Sequence, residues 1–323
     1  MKRAPWVREL ISAGNAYHYL KKVPWQHNLL NLSMTGVVLG GIGLVFWAGL
    51  HMHPLVYLPL AALALGHLYF ALFILVIHEC SHNMYVLSSD RSRAHRLNRW
   101  IGVVAAIPLF TNYIEHWEKG HRIHHLHPGA PQDLQVGATF TGPALWRELR
   151  LLALVPGYGA RHNPSGLYAS SRPIVAVALS GWLLLSAAFV WSGAWAVPLA
   201  ALWAFNVLQA LNLLKKSLEH GAELLDEPDA AFRTRSYFPA LGALISPFNI
   251  NYHFEHHLNF TVPWYDLPKY HAAVAARVPA SLHGHVFNMD TLGHLNGDRP
   301  QYDAALRAEI AGTSPSLDER AVS

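Results

Sequence analysis

The chain has 323 residues, of which 52% are hydrophobic and only 14% are charged. Soluble domains carry about 25% charged residues, so this composition excludes an ordinary soluble domain and a disordered chain, and it indicates an integral membrane protein. A single cysteine, Cys80, excludes an internal disulfide and a thiolate metal cluster, whereas 22 histidines are unusual in a chain with a net charge of +4.

The first 28 residues are predicted to form a cytosolic or interfacial segment, 1–28. Trp6, Leu10 and Tyr17 recur at roughly helical spacing, which predicts an amphipathic helix within Pro5–Leu20 at the membrane surface. No apolar run of the kind found in signal peptides follows the initial charges. We therefore interpret this segment as an interfacial helix rather than a signal peptide.

Two long stretches without Asp, Glu, Lys or Arg predict four membrane-spanning helices in two hairpins. The stretches run from Val23 to His78 and from Pro173 to Leu214. Each is long enough to cross a hydrocarbon core of about 30 Å twice. The predicted spans cover residues 29–50, 55–77, 173–192 and 194–214.

The charges predict the orientation of these spans. All 24 Lys and Arg residues fall on the side of both termini, which the positive-inside rule makes cytosolic. Within this cytosolic cap, Trp100–Ile114 is too short to span and predicts a re-entrant or interfacial segment, and Leu145–Val155 predicts an amphipathic surface helix. We expect one membrane domain over 29–297 and a polar, flexible tail over 298–323.

Three histidine clusters lie in the predicted cytosolic segments. Histidines at i and i+4, or at i, i+3 and i+4, share one face of a helix, so their imidazoles can converge on a metal. Eight histidines exceed the roughly four ligands of one ion, which predicts a dimetal site held by a helical cap. Isolated histidines such as His67 are assigned no role. The clusters are His78 and His82; His121, His124 and His125; and His253, His256 and His257.

Ligand type alone leaves the metal open, because imidazole suits iron, zinc, copper and nickel about equally. Position favours a redox metal, since a site beside apolar hairpins could act on an apolar chain, and attack on an unactivated C–H bond requires oxygen activation, which zinc does not provide. A divalent-metal transporter or metal-binding membrane protein is a weaker alternative, because its ligands should lie near the bilayer midplane. A zinc-dependent membrane hydrolase is a further alternative.

The three clusters resemble the histidine boxes of the integral-membrane fatty acid desaturase and hydroxylase superfamily. The third box has the most extensive match, and the resemblance covers roughly Leu55 to His271. The residues that carry it are His78-Glu79-Cys80-Ser81-His82-Asn83, Glu219-His220-Gly221, Arg233-Thr234-Arg235, Asn251 through Leu258, Val262 through Tyr265, and Leu267 through His271.

This resemblance implies an all-α membrane fold with a cytosolic cap and two non-haem iron ions that use O2. It also implies a ninth histidine ligand, for which His220 fits by position, although a capping role at the helix end is the alternative. Some members of the superfamily carry an asparagine four residues before this histidine. Lys216 occupies that position here, so no asparagine ligand is assigned.

Three glutamates, Glu79, Glu219 and Glu255, each adjoin a proposed ligand. They point roughly 100° away from it around a helix, so we interpret them as acceptors of an imidazole N–H from a different histidine, with a solvated charge or a cap as the alternative. Asp133 follows the second box. A role at the metal site and a role in a turn or helix cap are equally good interpretations of this residue.

The resemblance favours an O2-dependent fatty acyl desaturase, with a fatty acyl or lipid hydroxylase or a carotenoid ketolase as alternatives on the same scaffold. No convincing dinucleotide site, cysteine cluster or haem domain occurs in the sequence. The resemblance therefore implies an external electron donor of the ferredoxin or cytochrome b5 type with its reductase. The other expected partners are an acyl-CoA, acyl-carrier or lipid substrate and membrane lipids, and not nucleic acid. The host membrane is predicted to be a bacterial inner membrane or the endoplasmic reticulum.

Overall fold

Four long helices dominate the computed structural model, which describes residues 5–133, 135, 140–162, 172–221, 224–225, 227, 230–238 and 242–297. All four are long and apolar enough to cross a membrane, so the predicted all-α membrane fold is confirmed. The predicted tail, 298–323, lies outside the described residues. The four helices are α2 (Pro24–Ala48), α3 (Pro54–Ser81), α7 (Arg172–Trp191) and α8 (Ala196–His220).

Helices α3 and α8 form the centre of the membrane part. In their most apolar windows, 61% and 39% of the residues are buried, compared with 11% in α2 and 6% in α7. Small residues allow the two central helices to approach closely, because a Cβ at Gly66 would lie 2.9 Å from the carbonyl oxygen of Ala204. The outer faces of α2 and α7 remain exposed, as expected for helices that contact lipid.

Three of the spans extend beyond the predicted limits. Helix α2 begins at Pro24, where the fixed φ angle of proline suits a first helical turn. Helix α3 continues to Ser81 and α8 to His220, because both run on past the apolar core into the cap. As a result, the first histidine cluster and His220 lie at the ends of the two central helices.

The cap consists of short helices and one minimal parallel strand pair, in which Ser236 pairs with Phe287 and Tyr237 with Asn288. Helix α4 begins nine residues before the predicted re-entrant or interfacial segment and shares only 100–106 with it, whereas α6 overlaps the predicted amphipathic helix. The α-helices are α1 (Pro5–Gly14), α4 (Arg91–Ala106), α5 (Gly120–Leu126), α6 (Gly142–Leu154), α9 (Gly242–Ile245), α10 (His253–Leu258), α11 (Leu267–Ala275), α12 (His283–Val286) and α13 (Thr291–Asn296); the strands are β1 (Ser236–Tyr237) and β2 (Phe287–Asn288).

Single 3-10 turns connect many of these elements. They cover Asn15–Tyr17, Tyr19–Lys21, Ile107–Leu109, Tyr158–His162, Ala230–Phe232, Pro247–Asn249, Trp264–Asp266 and Ala280–Leu282.

The N-terminal helix α1 packs into the cap. Val7 and Leu10 are fully buried in a cluster that includes Phe254 and Tyr270, and the Tyr270 hydroxyl donates to the carbonyl of Leu10 at 2.9 Å. Burying two aliphatic side chains stabilises this contact by roughly 3–6 kcal/mol. Helix α1 therefore supports the third histidine box, which belongs to the same cluster through Phe254.

Candidate metal centre

Two π-helical turns lie at the first and second histidine clusters. One covers Phe73–His78 within α3 and contains the first ligand, His78, and the other covers Tyr113–Lys119 just before α5. A π turn accommodates one extra residue and so changes the direction of every side chain that follows, and such turns often occur at functional sites. These turns orient the histidines that come after them.

The proposed histidine ligands form two separate groups in space, and the second and third clusters each contribute to both groups. His121 and His125 are one turn apart on α5 and face one group, whereas His124 faces the other. On α10, His253 and His257 are likewise one turn apart and share a group, and His256 points to the opposite group. The i, i+3, i+4 spacing therefore joins the two groups rather than serving only one.

All nine proposed ligands are brought together in two adjacent groups. Within each group, the candidate ligand atoms all lie within 4.8 Å of one another. The first group is His78, His82, His121, His125 and His256, and the second is His124, His220, His253 and His257.

Imidazole nitrogens approach one another closely in both groups. The Nε2 atoms of His82 and His121 are 2.9 Å apart, and those of His220 and His253 are 3.0 Å apart. Two nitrogens that each bind one ion at about 2.1 Å lie no more than about 4.2 Å apart. The spacing of these atoms therefore suits two ions, one in each group.

Several of the histidines have an Nδ1 partner that selects Nε2 as the ligand atom, and three of these contacts are short. Gln135 Oε1 lies 2.5 Å from Nδ1 of His121, Asp133 Oδ2 lies 2.9 Å from Nδ1 of His124, and the carbonyl oxygen of Arg233 lies 2.7 Å from Nδ1 of His220. Because each oxygen accepts an N–H, the neutral imidazole keeps its lone pair on Nε2.

The three glutamates that were predicted to accept an imidazole N–H have different hydrogen-bond partners. Glu79 Oε1 is 3.3 Å from Nδ1 of its own neighbour His78. Glu219 Oε2 accepts from Lys215 at 2.7 Å and lies 3.3 Å from Nε2 of His253.

Glu255 contacts residues outside the nine histidines. Its Oε1 accepts from Nδ1 of His271 at 2.5 Å, and its Oε2 accepts from the hydroxyl of Ser236. The expectation that Glu255 accepts from a proposed metal ligand therefore finds no counterpart among these contacts. Instead, Glu255 joins the third box to α11 and β1.

The site is buried, which controls its protonation. Burial lowers the pKa of His121 from 6.5 to about 4. Burial, followed by the neighbouring imidazoles, also lowers the pKa of His82, His256 and His257 well below 6.5. These side chains are neutral at physiological pH, and a neutral imidazole is the form that binds a metal.

Several residues of this site have no signature in the sequence. Trp117 packs its ring 5.4 Å from the ring of His121 and 4.6 Å from that of Phe73. Phe260 stacks 5.4 Å from the ring of His82 and shields the first group. Gln135 could have been sought only as a polar residue near the second box, where many polar residues compete.

The sequence profile of the fatty acid desaturase family matches residues 52–288, which is more than half of the chain. The chain belongs to the fatty acid desaturase family. The matched range contains all nine histidines of the two groups, so the resemblance inferred from the boxes is confirmed. No curated relative matches this family member.

Proposed function

We propose that this desaturase-family protein is an O2-dependent fatty acyl desaturase with a non-haem di-iron centre. The single observation that carries this proposal is the convergence of nine imidazoles into two adjacent groups in a membrane protein of this family. The five histidines of the first group would hold one iron, and the four of the second group would hold the other.

The residues present fit such a centre. Their ligand atoms are neutral nitrogens, and hydrogen bonds of Nδ1 orient several of them. Buried carboxylates adjoin the groups, among them Asp133, Glu79 and Glu219, and they supply negative charge that offsets the charge of two buried cations. Bound iron would supply the redox chemistry that activates O2, which a zinc site does not.

The protein would hold an acyl chain beside the first group while two neighbouring hydrogens are removed. In the balanced reaction, the chain loses two hydrogens, O2 takes up these together with two electrons and two protons, and two waters form. The electrons would come from a ferredoxin or cytochrome b5-type donor with its reductase.

Hydroxylation is the second candidate, because it uses the same ligands and differs in how the chain is placed. Lipid profiling by mass spectrometry of a host with and without the gene separates the two reactions. A lipid lighter by two hydrogens supports the desaturase, and a lipid heavier by one oxygen supports the hydroxylase. A host lipidome that does not change contradicts both reactions.

Metal analysis of the purified protein tests the centre itself. We expect about two irons per chain, since the two groups are separate and each offers at least four nitrogens. A single ion per chain, or zinc in place of iron with no dependence on O2, would contradict the proposal. A zinc result would favour the hydrolase alternative.

A cytosolic donor requires the histidines to face the cytosol, which cysteine labelling tests. Ser192 follows α7 in an outer turn, whereas Ser89 precedes α4 in the cap, and both are exposed. In a Cys80→Ser background, Ser192→Cys should react with an impermeant thiol reagent on intact cells, and Ser89→Cys only after permeabilisation. The reverse pattern would contradict the proposed orientation.

A further inference from the structure

A large apolar cavity lies between the spanning helices and α4. Its volume is about 830 Å³, within the range of pockets that bind whole organic ligands. Residues of α2, α3, α4 and α7 line it, among them Leu39, Tyr69, Val104 and Val177. The lining is almost wholly aliphatic and aromatic, so the cavity suits a hydrocarbon chain.

The mouth of this cavity opens on the outer surface of the helix bundle. The lining residues Leu39, Val104 and Val177 are 53%, 60% and 60% exposed. They belong to α2, α4 and α7, and two of these helices are the peripheral spans. A ligand that passes this mouth would therefore come from the bilayer rather than from water.

Part of the cavity wall lies beside the first histidine box. Val76 and Tyr85 belong to this wall and are 4% and 2% exposed. Val76 is two residues before His78, and Tyr85 is three residues after His82. The cavity thus leads from the bilayer surface to the backbone that carries two of the proposed ligands.

At the mouth of the cavity, the exposed residues along one face of helix α4 change from charged to apolar. Arg96, Trp100 and Val104 are spaced by four residues and are all exposed, so they follow one another along one face over about 12 Å. Trp100 and Val104 line the cavity. The order of arginine, tryptophan and valine matches the order of headgroup, interface and hydrocarbon in a bilayer.

Two arginines on this helix are available to bind a phosphate. Within the part of the chain that the structure describes, the guanidinium of Arg99 pairs with Glu118 at 3.2 Å, whereas Arg93 and Arg96 are exposed and their guanidinium groups form no ion pair. An unpaired guanidinium beside an apolar cavity complements an anionic lipid, because arginine binds phosphate oxygens through paired N–H donors.

We propose that the cavity takes the acyl chain of an anionic membrane phospholipid, whose phosphate is bound by Arg93 and Arg96. The inference rests on the proposed acyl-chain chemistry, and it specifies that the chain arrives while esterified to a bilayer lipid rather than as a soluble thioester. The exposed apolar mouth favours this occupant, since a thioester with a large polar carrier would have to insert from water.

Photo-crosslinking tests this inference without requiring turnover. The purified protein is placed in phosphatidylcholine vesicles that contain a phosphatidylglycerol with a diazirine in its acyl chain. After illumination, mass spectrometry of peptides locates the label. We expect labelled residues in the cavity, on the peptides that contain Val76, Val104 and Val177.

A cavity-filling variant provides the first matched comparison. Gly181 lines the cavity, and a Cβ there would meet no atom within 4 Å, so Gly181→Leu fills space without a clash. Gly43 also has open space at its Cβ but does not line the cavity. We expect Gly181→Leu to lose most of the cavity label and Gly43→Leu to keep it.

A charge variant provides the second comparison. Arg96→Ala should lower the labelling about fivefold, the factor expected for one basic residue at an anionic surface. Arg91→Ala removes the same charge from the same helix, but its side chain is about 140° away around the axis, so its labelling should stay near that of the wild type. Equal losses in both variants would overturn the phosphate contact.

The outcomes also separate this inference from the proposed function. Cavity labelling that Gly181→Leu abolishes supports the inference, whatever product the enzyme makes. Labelling that Gly181→Leu leaves unchanged overturns it, even where lipid profiling shows desaturation. Displacement of the lipid label by an equimolar acyl-CoA also overturns it, because the thioester would then be the preferred occupant.

Discussion

Replacing Asp133 with Ala should release His124 and weaken metal binding in the second group. The carboxylate of Asp133 is buried, and its Oδ2 accepts from Nδ1 of His124 and from the backbone N–H of Gly129, both at 2.9 Å. Its Oδ1 accepts from the backbone N–H of Gln135 at 2.8 Å. One side chain therefore fixes an imidazole and the loop that follows it.

The magnitude can be worked out from these contacts. A hydrogen-bond partner of a metal-binding histidine typically changes metal affinity 10- to 100-fold, which corresponds to about 1.4–2.7 kcal/mol. Loss of these three hydrogen bonds, at about 1 kcal/mol each, lowers the free energy of unfolding by about 3 kcal/mol. Asp133→Asn keeps an oxygen for His124 and should show a smaller loss of affinity.

Metal affinity is measured by competition with a chelator of known affinity, and unfolding by chemical denaturation of the same samples. Asp90→Ala is the control: it removes the N-cap carboxylate that accepts from the backbone N–H of Arg93 at 3.0 Å, far along the chain from the second group. It should cost about 1 kcal/mol of stability and leave the affinity unchanged. Wild-type affinity in Asp133→Ala would refute the reasoning, since His124 would then hold its orientation without the carboxylate.

The remaining predictions concern other parts of the same centre. His256→Ala should lose metal and product while the protein still inserts into membranes, and His67→Ala should retain both; full product formation by His256→Ala would contradict the ligand assignment. Inserting one alanine into α3 before Phe73 should rotate the first box by about 100°, which metal analysis would detect as a lost ion. In the metal-free protein, buried neutral His121 should contribute fully to the free energy of unfolding above pH 6.5, and this contribution should be lost as the pH falls toward 4. Thermal unfolding measured across that range tests this. A stability that does not change with pH would contradict the burial of a neutral imidazole.

The spans could be predicted from sequence because charge is so costly in lipid. Two charge-free stretches located all four helices, yet α8 continues to His220, beyond the predicted limit. Lys215 and Glu219 lie in this extension and pair with each other at 2.7 Å, so a helix can carry both charges past the apolar core. Hydropathy predicts only the part of a helix that lies in the bilayer, whereas the ends of the helices depend on such local pairs.

The histidine clusters were visible in the sequence, but their division into two groups was not. Helical spacing places His121, His124 and His125 near one another, and it does not say that His124 faces His220 while its neighbours face His82. That division depends on how α5 packs against the ends of the central helices. It is a tertiary property, and no single cluster contains it.

The hydrogen-bond acceptors around the histidines were the least predictable part, for a physical reason. An N–H donor requires an oxygen at the right distance, and any carbonyl, amide or carboxylate can supply one. For His220 that oxygen is the backbone carbonyl of Arg233, which leaves no trace in the residue type. Its position depends on the turn Ala230–Phe232 that precedes it. The Arg233 side chain donates to the carbonyls of Glu227 and Pro128, so it acts on His220 only by helping to fix the path of the chain that places this acceptor.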